Sequence, residues 1–362
     1  MKIIHIKAHQ PATPDSPPDW RTQLGQIIVE IQTDDGRWGI GVGGGGAAAI
    51  HVIETVLSDL LLGCDATDVE GLHATMLRHT SFYGRKGIVI MAISGVDLAL
   101  WDLRGKRAGK PIAKLLNPSA DVFRDLPTYC TVFDDTSAES AIHAGHQAIK
   151  LHMERFGDQP DPAAIRQHVR DTRNRLGPTA RIMIDAFGRW NLKSTLEVAN
   201  AISEFNIEWL EEPLLPDDRV GYQKLVERCP IPIAGGEHEY TADGFRWLID
   251  DRLHTILQPD INWCGGMTTL LQIYKMAASA GIRVCPHRGC EPFALAAIAS
   301  LDPQPLAESG RRWFNCLTGV PEIQNGKIQV VDQPGFGVGF NQDDCGSLEN
   351  LSQPSRKKPT HQ

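Results

Sequence analysis

Three carboxylates that each end a short apolar run form the most regular pattern in this 362-residue sequence. The runs RIMID, IEWLE and IPIAGGE end at Asp185, Glu211 and Glu237, and each acid lies 26 residues after the previous one. That interval fits one strand, one helix and two loops. Carboxylate oxygens without cysteine or histidine suit Mg²⁺, which keeps water or substrate oxygens as its other ligands. We therefore predict a magnesium site at these three acids.

Other apolar runs also end in residues that can bind or transfer protons. TILQPD ends at Asp260 and IRVCPH ends at His287, and a carboxylate that orients an imidazole is a recurring acid–base pair. In AIKLH, Lys150 and His152 point to the same side of a strand. The lysine would bind a substrate carboxylate, and the histidine would either act as a base or position the substrate. Glu308, in PLAES, would hold the far oxygen of that carboxylate.

Strand-like and helix-like segments alternate from Leu126 onward, which predicts repeated β/α units. Seven clear units precede a weaker eighth strand at PLAES. The pattern indicates an α/β fold with a modified, (β/α)7β-like TIM-type barrel over residues 119–310. Because the carboxyl ends of all barrel strands open onto one face, we expect the polar strand ends to share one pocket.

The first 118 residues predict a separate α+β domain. Two strand-like runs flank Asp35-Gly36, a pair that favours a hairpin turn, and helical patterns follow them. Four prolines between His9 and Arg21 indicate a surface loop. After the barrel, we expect residues 311–346 to return to the first domain and the polar residues 347–362 to form a disordered tail.

Composition narrows the class of partner to a small molecule. Lys and Arg number 36 against 44 Asp and Glu, and this acidic balance argues against a nucleic-acid partner. No apolar run reaches the ~20 residues that cross a bilayer, and the start lacks the features of a signal peptide. We therefore predict a cytoplasmic protein with no membrane partner. The eight cysteines form no CxxC pair, which favours reduced thiols over disulfides or a zinc cage.

One glycine-rich stretch, from Gly41 to Gly46, satisfies the GxGxxG pattern of NAD-binding dehydrogenases. The strand before it belongs to the predicted hairpin, however, whereas a dinucleotide-binding glycine loop follows a strand of a parallel unit. Dinucleotide binding is therefore only a distant alternative, and we expect no such cofactor.

Several longer stretches occur together in one order: AISGVDLALWDLRGKRAGKPIAKLL, KLH, IDA, WLEEP, GGEHE, QPDINWCGG and CPH. In these stretches, and over nearly its whole length, the chain resembles the mandelate racemase subgroup of the enolase superfamily. GEHEYT followed by QPDINWCGG is most similar to the acid-sugar dehydratases, including the L-rhamnonate dehydratase group. His152 replaces the second lysine of the family pattern, and the loop CPHRGCEPFALA differs from the loop of that group.

The resemblance implies metal ligands at Asp185, Glu211 and Glu237 and a His287–Asp260 dyad. It also implies that the first domain caps the barrel mouth, that the proline-rich loop is a moving cover, and that the family's usual homo-oligomer forms. Three residues of that loop are candidate substrate contacts: His9, Trp20 and Arg21.

The implied reaction is Mg²⁺-dependent dehydration of an aldonate or aldarate to a 2-keto-3-deoxy acid. It would proceed by removal of the α-proton, an enediolate, and loss of the β-hydroxyl. A racemase or epimerase of a 2-hydroxy acid on the same scaffold is the alternative, since Lys150 and His152 facing Asp260 and His287 would provide bases on both sides of the substrate.

Overall fold

The computed structural model of the protein describes residues 1–11, 24–146, 148–309, 317–341 and 345–346. Trp20, Arg21 and the segment 347–362 lie outside these ranges. The strands are β1 (Ile3–Pro11), β2 (Ile27–Thr33), β3 (Trp38–Gly43), β4 (Leu126–Val132), β5 (Ala148–His152), β6 (Arg181–Asp185), β7 (Ile207–Glu211), β8 (Ile233–Gly235), β9 (Ile256–Leu257), β10 (Arg283–Val284), β11 (Ala307–Ser309), β12 (Leu317–Thr318), β13 (Lys327–Ile328), β14 (Gly339–Phe340) and β15 (Cys345–Gly346).

The α-helices follow the strands of each domain. They are α1 (Gly46–His51), α2 (Ser58–Leu61), α3 (Val69–Thr80), α4 (Ile88–Ala108), α5 (Ile112–Leu116), α6 (Asp135–His143), α7 (Pro162–Leu176), α8 (Leu192–Ile202), α9 (Arg219–Arg228), α10 (Thr241–Asp250), α11 (Gly266–Ala280) and α12 (Pro292–Leu301). A π-helical segment, Val52–Leu57, joins α1 to α2. In the described ranges, no helix is both long and apolar enough to cross a membrane.

The predicted TIM-type barrel is confirmed. Eight neighbouring strands run parallel in the order β10, β9, β8, β7, β6, β5, β4, β11, and helices α6 to α12 follow the strands from β4 to β10 in turn. Pairing aligns the strand ends, because Asp185 lies opposite both His152 and Glu211. The polar residues that end these strands therefore lie at one level of the barrel.

Side chains that face the barrel axis form layers along the strands. A buried cluster fills the barrel, and its members are Tyr129, Ala148, Met183, Trp209, Ala234, Ile256, Cys285 and Leu306. Side chains alternate along a strand, so a residue two positions after a cluster member points to the same side. Lys150, Asp185 and Glu211 occupy that position after Ala148, Met183 and Trp209. They therefore form the next layer toward the carboxyl ends of the strands.

The α+β capping domain contains the antiparallel strands β1, β2 and β3, and β2 and β3 form the hairpin predicted at Asp35-Gly36. Helix α4 packs closely against β3, and the glycines of the GxGxxG pattern allow this contact. A Cβ on Gly41 would lie 2.1 Å from the backbone oxygen of Gly95, and one on Gly43 would lie 2.4 Å from that of Met91. The pattern is thus explained by helix–sheet packing in an antiparallel sheet.

Buried aspartates on α4 join the domains. Asp97 accepts hydrogen bonds from the Thr268 backbone N–H (2.9 Å) and hydroxyl (2.6 Å) of barrel helix α11. Asp102 accepts from the backbone N–H groups of Ile40 (3.0 Å) and Phe336 (2.9 Å). The C-terminal segment contacts both domains, since β13 pairs with barrel strand β4 and β15 pairs with β1.

Candidate active site

A buried lysine lies at the centre of the barrel mouth. Lys150 Nζ is 2.9 Å from Glu308 Oε1 and 3.4 Å from Asp185 Oδ2, and it also forms an ion pair with Glu211. The residue is only 1% exposed. Burial alone would lower the pKa of Lys150, but the charges of Glu211, Glu308 and Asp185 raise it well above the usual value. Lys150 is therefore a fixed positive charge that joins strands β5, β6, β7 and β11.

Asp185 and Glu211 each have one oxygen held by the protein. The Phe187 N–H donates to Asp185 Oδ1 at 2.9 Å, while Trp209 Nε1 (3.0 Å) and Gln258 Nε2 (2.7 Å) donate to Glu211 Oε2. Their other oxygens face Lys150. Burial is the main cause that raises the pKa of Asp185 to about 6 and that of Glu211 to about 7, against the opposing charge of Lys150.

Glu237, the third predicted ligand, contacts two histidines. Its Oε2 is 3.3 Å from His287 Nε2, and its Oε1 is 3.6 Å from His238 Nδ1. Burial raises its pKa, and the charges of Glu212 and Glu211 add to this effect. Ligand atoms of Glu212, Glu237 and His238 lie within 4.8 Å of one another. Among the described residues this is the group whose ligand atoms come together, whereas Asp185 and Glu211 turn their second oxygens to Lys150. The structure thus places Glu237 in a second possible ligand set that the sequence did not indicate, and the set Asp185, Glu211 and Glu237 stays a prediction.

The charges at the mouth favour a bound cation. Lys150 and Arg288 are buried permanent cations there, and His238 and His287, with their raised pKa values, add two imidazolium charges. They face six buried carboxylates: Asp185, Glu211, Glu212, Glu237, Asp260 and Glu308. Ionised carboxylates are costly to bury unless positive charge compensates them. The oxygen donors and their raised pKa values therefore fit a hard divalent cation such as Mg²⁺.

Asp260 and His287 form the predicted pair. His287 Nδ1 donates to Asp260 Oδ2 at 2.9 Å, and Nε2 faces the mouth, 3.9 Å from Glu308 Oε2. Burial alone would raise the pKa of Asp260, but Arg288 and His287 hold it well below its usual range. Burial would lower the pKa of His287, whereas Glu237 and the Asp260 hydrogen bond raise it to about 9. The arrangement holds the imidazole with Nε2 directed at the site.

His152 lies at the same mouth, on the second strand of the barrel. Its ring stacks on Phe133 with centroids 4.6 Å apart and lies 5.3 Å from Phe187. The Glu154 N–H lies 3.3 Å from Nδ1, so Nδ1 is the acceptor and Nε2 carries the proton. That Nε2 is 4.0 Å from Asp185 Oδ2. The aromatic contacts fix the ring plane, and His152 faces the site as a proton donor.

Glu308 takes part in the site through contacts with the protein, and its contact with a substrate carboxylate stays a prediction. It accepts hydrogen bonds from the Arg288 N–H (2.9 Å) and the Thr131 hydroxyl, and it pairs with Lys150. Burial alone would raise the pKa of Glu308, yet the Lys150 and His287 charges lower it to about 2. Glu308 therefore orients Lys150 and the loop after β10.

Sequence reasoning missed a second carboxylate–histidine pair at the mouth. Glu212 Oε2 is 2.6 Å from His238 Nδ1. Burial alone would lower the pKa of His238, but Glu212 raises it to about 10. The ring of Trp263 lies between the two histidines, 5.7 Å from His238 and 5.8 Å from His287. Adjacency was the available signal, because Glu212 and His238 directly follow the predicted ligands Glu211 and Glu237.

His9 is the capping-domain candidate that lies within the described residues, and it has a partner in its own domain. His9 Nε2 is 2.6 Å from Glu30 Oε2, and its ring is 5.5 Å from that of Phe340. His9, predicted as a substrate contact, is thus engaged in a buried pair within the domain's own sheet. Lys86 instead reaches the barrel, with Nζ 3.2 Å from Glu239 and 3.3 Å from Asp217.

Comparison with known proteins identifies the family of this chain. Residues 20–117 match the model of the mandelate racemase / muconate lactonizing enzyme N-terminal domain, and residues 135–344 match that of the enolase C-terminal domain-like family. An L-rhamnonate dehydratase from Saccharopolyspora erythraea is 33% identical over 330 residues, covering 88% of this chain and 84% of the relative.

Two solved structures share the fold over nearly the whole chain. Rhamnonate dehydratase from Gibberella zeae complexed with Mg has a TM-score of 0.84 at 28% identity, covering 98% of each chain. A racemase from Streptomyces coelicolor A3(2) with bound magnesium has a TM-score of 0.84 at 27% identity, covering 94% of this chain and 98% of the racemase.

Proposed function

Because the chain belongs to the mandelate racemase / muconate lactonizing enzyme family of the enolase superfamily, we propose that it is a Mg²⁺-dependent sugar-acid dehydratase. It would convert an aldonate or aldarate to the 2-keto-3-deoxy acid. The observation that carries this proposal is the Asp260–His287 pair beside the buried acids of one barrel mouth. The named dehydratase relative adds support and suggests rhamnonate-like aldonates as the first substrates to test.

In this proposal Asp185, Glu211 and Glu237 hold Mg²⁺. The bound ion would stabilise negative charge on the oxygens of the substrate carboxylate. Lys150 adds a positive charge beside these acids, and the bonds from Trp209 and Gln258 keep one oxygen of Glu211 directed away from the centre.

His287 performs the proton transfers. Mg²⁺ held by Glu237 would compensate the carboxylate charge that raises the pKa of His287, and so favour the neutral ring. The neutral Nε2 then takes the α-proton, and the C–H bonding electrons move into the carboxylate group to give the enediolate. Asp260 keeps its hydrogen bond to Nδ1 and stabilises the imidazolium that forms. The imidazolium then returns the proton to the β-hydroxyl, the C–O bond breaks, and water leaves. The remaining enol becomes the 2-keto-3-deoxy acid.

A screen of aldonic and aldaric acids with Mg²⁺ tests the proposal, with keto-acid product detected as its semicarbazone. We expect turnover of at least one acid and no turnover after the metal is removed with EDTA. Absence of product from every acid, with Mg²⁺ binding verified, would contradict the dehydratase assignment.

Racemisation or epimerisation of a 2-hydroxy acid is a second candidate. It is favoured by His152, which faces the mouth from a different strand than His287, and by the likeness to a racemase. A proton acceptor on one face and a proton donor on the other would exchange the α-proton and return either configuration. Incubation in D₂O separates the candidates: deuterium in recovered substrate of inverted configuration, without keto acid, would support this one.

A further inference from the structure

Arg288 directly follows the dyad histidine, and its side chain is buried against the dyad. Nε and Nη2 donate to Asp260 Oδ2 at 3.1 and 2.5 Å, and the same oxygen accepts from His287 Nδ1 at 2.9 Å. The guanidinium carbon lies 4.9 Å from the ring centre of Trp263. The side chain thus spans from the dyad carboxylate to the aromatic wall of the mouth.

The backbone of Arg288 is held in an unusual conformation. Its φ is 51°, in the left-handed region that residues other than glycine rarely adopt. Its N–H donates to Glu308 Oε2 at 2.9 Å, and Glu308 in turn pairs with Lys150. Such a conformation persists only where surrounding contacts fix it. The contacts of Arg288 therefore link the acid–base pair to the lysine cluster.

Together, Arg288 and one backbone group fix the orientation of the Asp260 carboxylate. The Asn262 N–H holds Oδ1 at 2.8 Å, and the rigid guanidinium fork holds Oδ2. Rotation of the carboxylate would break charge-assisted bonds at both oxygens. Because His287 Nδ1 bonds to Oδ2, a fixed carboxylate also fixes the plane of the imidazole and the direction of Nε2.

We propose that Arg288 is a positioning residue for the acid–base chemistry: it locks Asp260 and, through Asp260, holds His287 Nε2 toward the substrate. This inference rests on the role proposed above for His287. In this role Arg288 acts through Asp260 and not on the substrate, so its loss should lower kcat and leave KM nearly unchanged.

Arg288→Met, Arg288→Lys and Arg288→Gly test this role. Misplacement of a reacting group by about 1 Å costs about 10²-fold, so we expect a decrease in kcat of that order in Arg288→Met with KM changed by less than about threefold. Arg288→Lys keeps the charge but lacks the fork, and we expect it to recover little activity. Glycine tolerates the positive φ, so Arg288→Gly should fold, and added guanidinium should restore part of its kcat.

Arg219→Met is the matched control. Arg219 also stacks on a tryptophan, 4.3 Å from the Trp247 ring centre, and lies 3.9 Å from Asp251, but it does so on the outer helices. We expect wild-type kcat from this variant. Full activity in Arg288→Lys, a loss confined to KM, or an equal loss in Arg219→Met would overturn the proposal.

A proton NMR measurement on the metal-free protein separates this proposal from the proposed function, because it needs no substrate. The Nδ1–H of His287 should give a resonance downfield of the amides, assigned by its absence in His287→Asn. We expect this resonance to broaden or disappear in Arg288→Met, as the carboxylate loses its fixed orientation. An unchanged resonance would show that Arg288 does not position the dyad, whether or not any sugar acid is turned over.

Discussion

Charged residues lie at both ends of the barrel, at the amino ends of β6, β7 and β10 and at or just after the carboxyl ends of β6, β7 and β8, and the two ends differ in charge balance. At the amino ends, Arg181 and Arg283 both pair with Glu208. Burial alone would raise the pKa of Glu208, but the two arginines lower it. At the carboxyl ends, the pKa values of Asp185, Glu211 and Glu237 are raised. Two arginines fully compensate Glu208 and make the first end a structural ion cluster, whereas acids in excess of the buried cations make the second end the candidate metal site.

Substitution of the mouth acids should have the largest effect, on Mg²⁺ binding. We expect Glu211→Gln to weaken Mg²⁺ binding by more than about 10²-fold, since even outer partners of a metal ligand are worth about 10–100-fold. Glu208→Gln, the matched control from the amino ends, should bind Mg²⁺ normally in isothermal titration calorimetry. If Glu212→Gln loses binding and Glu211→Gln retains it, the ligands are instead Glu212, Glu237 and His238.

Replacement of the dyad histidine should separate chemistry from metal binding within the mouth. We expect His287→Asn to lower kcat by about 10²–10⁴-fold, because general acid–base catalysis is lost. Mg²⁺ affinity should remain within a few-fold of wild type, as His287 is no predicted ligand. Near-normal kcat would assign the proton transfers to another group, with His152 or His238 as the next candidates.

In the metal-free protein, substitutions at the two ends should change stability by unequal amounts. Glu208→Gln breaks charge-assisted bonds to two arginines, so we expect a loss of about 1–3 kcal/mol in the free energy of unfolding. Glu211→Gln removes a buried charge, while Lys150 keeps Asp185 and Glu308 as ion-pair partners, so we expect a change below about 1 kcal/mol. Urea unfolding in EDTA measures both, and a larger loss in Glu211→Gln would invert the comparison.

The pH dependence of stability should differ in sign between the ends, with the smallest effect. Folding raises the pKa of Glu211 from 4.5 to about 7, so in EDTA its ionisation should destabilise the protein as pH rises through this range. Folding lowers the pKa of Glu208, so its contribution should be lost only as pH falls below about 4.5. Unfolding free energies of wild type, Glu211→Gln and Glu208→Gln between pH 4 and 8 test both signs, and saturating Mg²⁺ should abolish the Glu211 term.

Much of the fold and part of the site follow from local pattern. Alternation and spacing predicted the barrel, the hairpin at Asp35-Gly36 and the polar strand ends, because strand period and β/α unit length are properties of the chain itself. The Asp260–His287 contact followed from the same pattern, since both residues end neighbouring strands.

What the sequence determined by itself is which residues end strands and toward which side they point. Only the tertiary structure decided which charges meet there: Lys150 among three acids, Glu308 as an acceptor, and Arg288 folded onto Asp260. Charge balance depends on distances and burial across strands far apart in sequence, and the direction of Arg288 depends on a positive φ that no local preference predicts. For that reason the positions of the acids at strand ends can be predicted from the sequence, whereas their charge states and partners are set by the folded barrel.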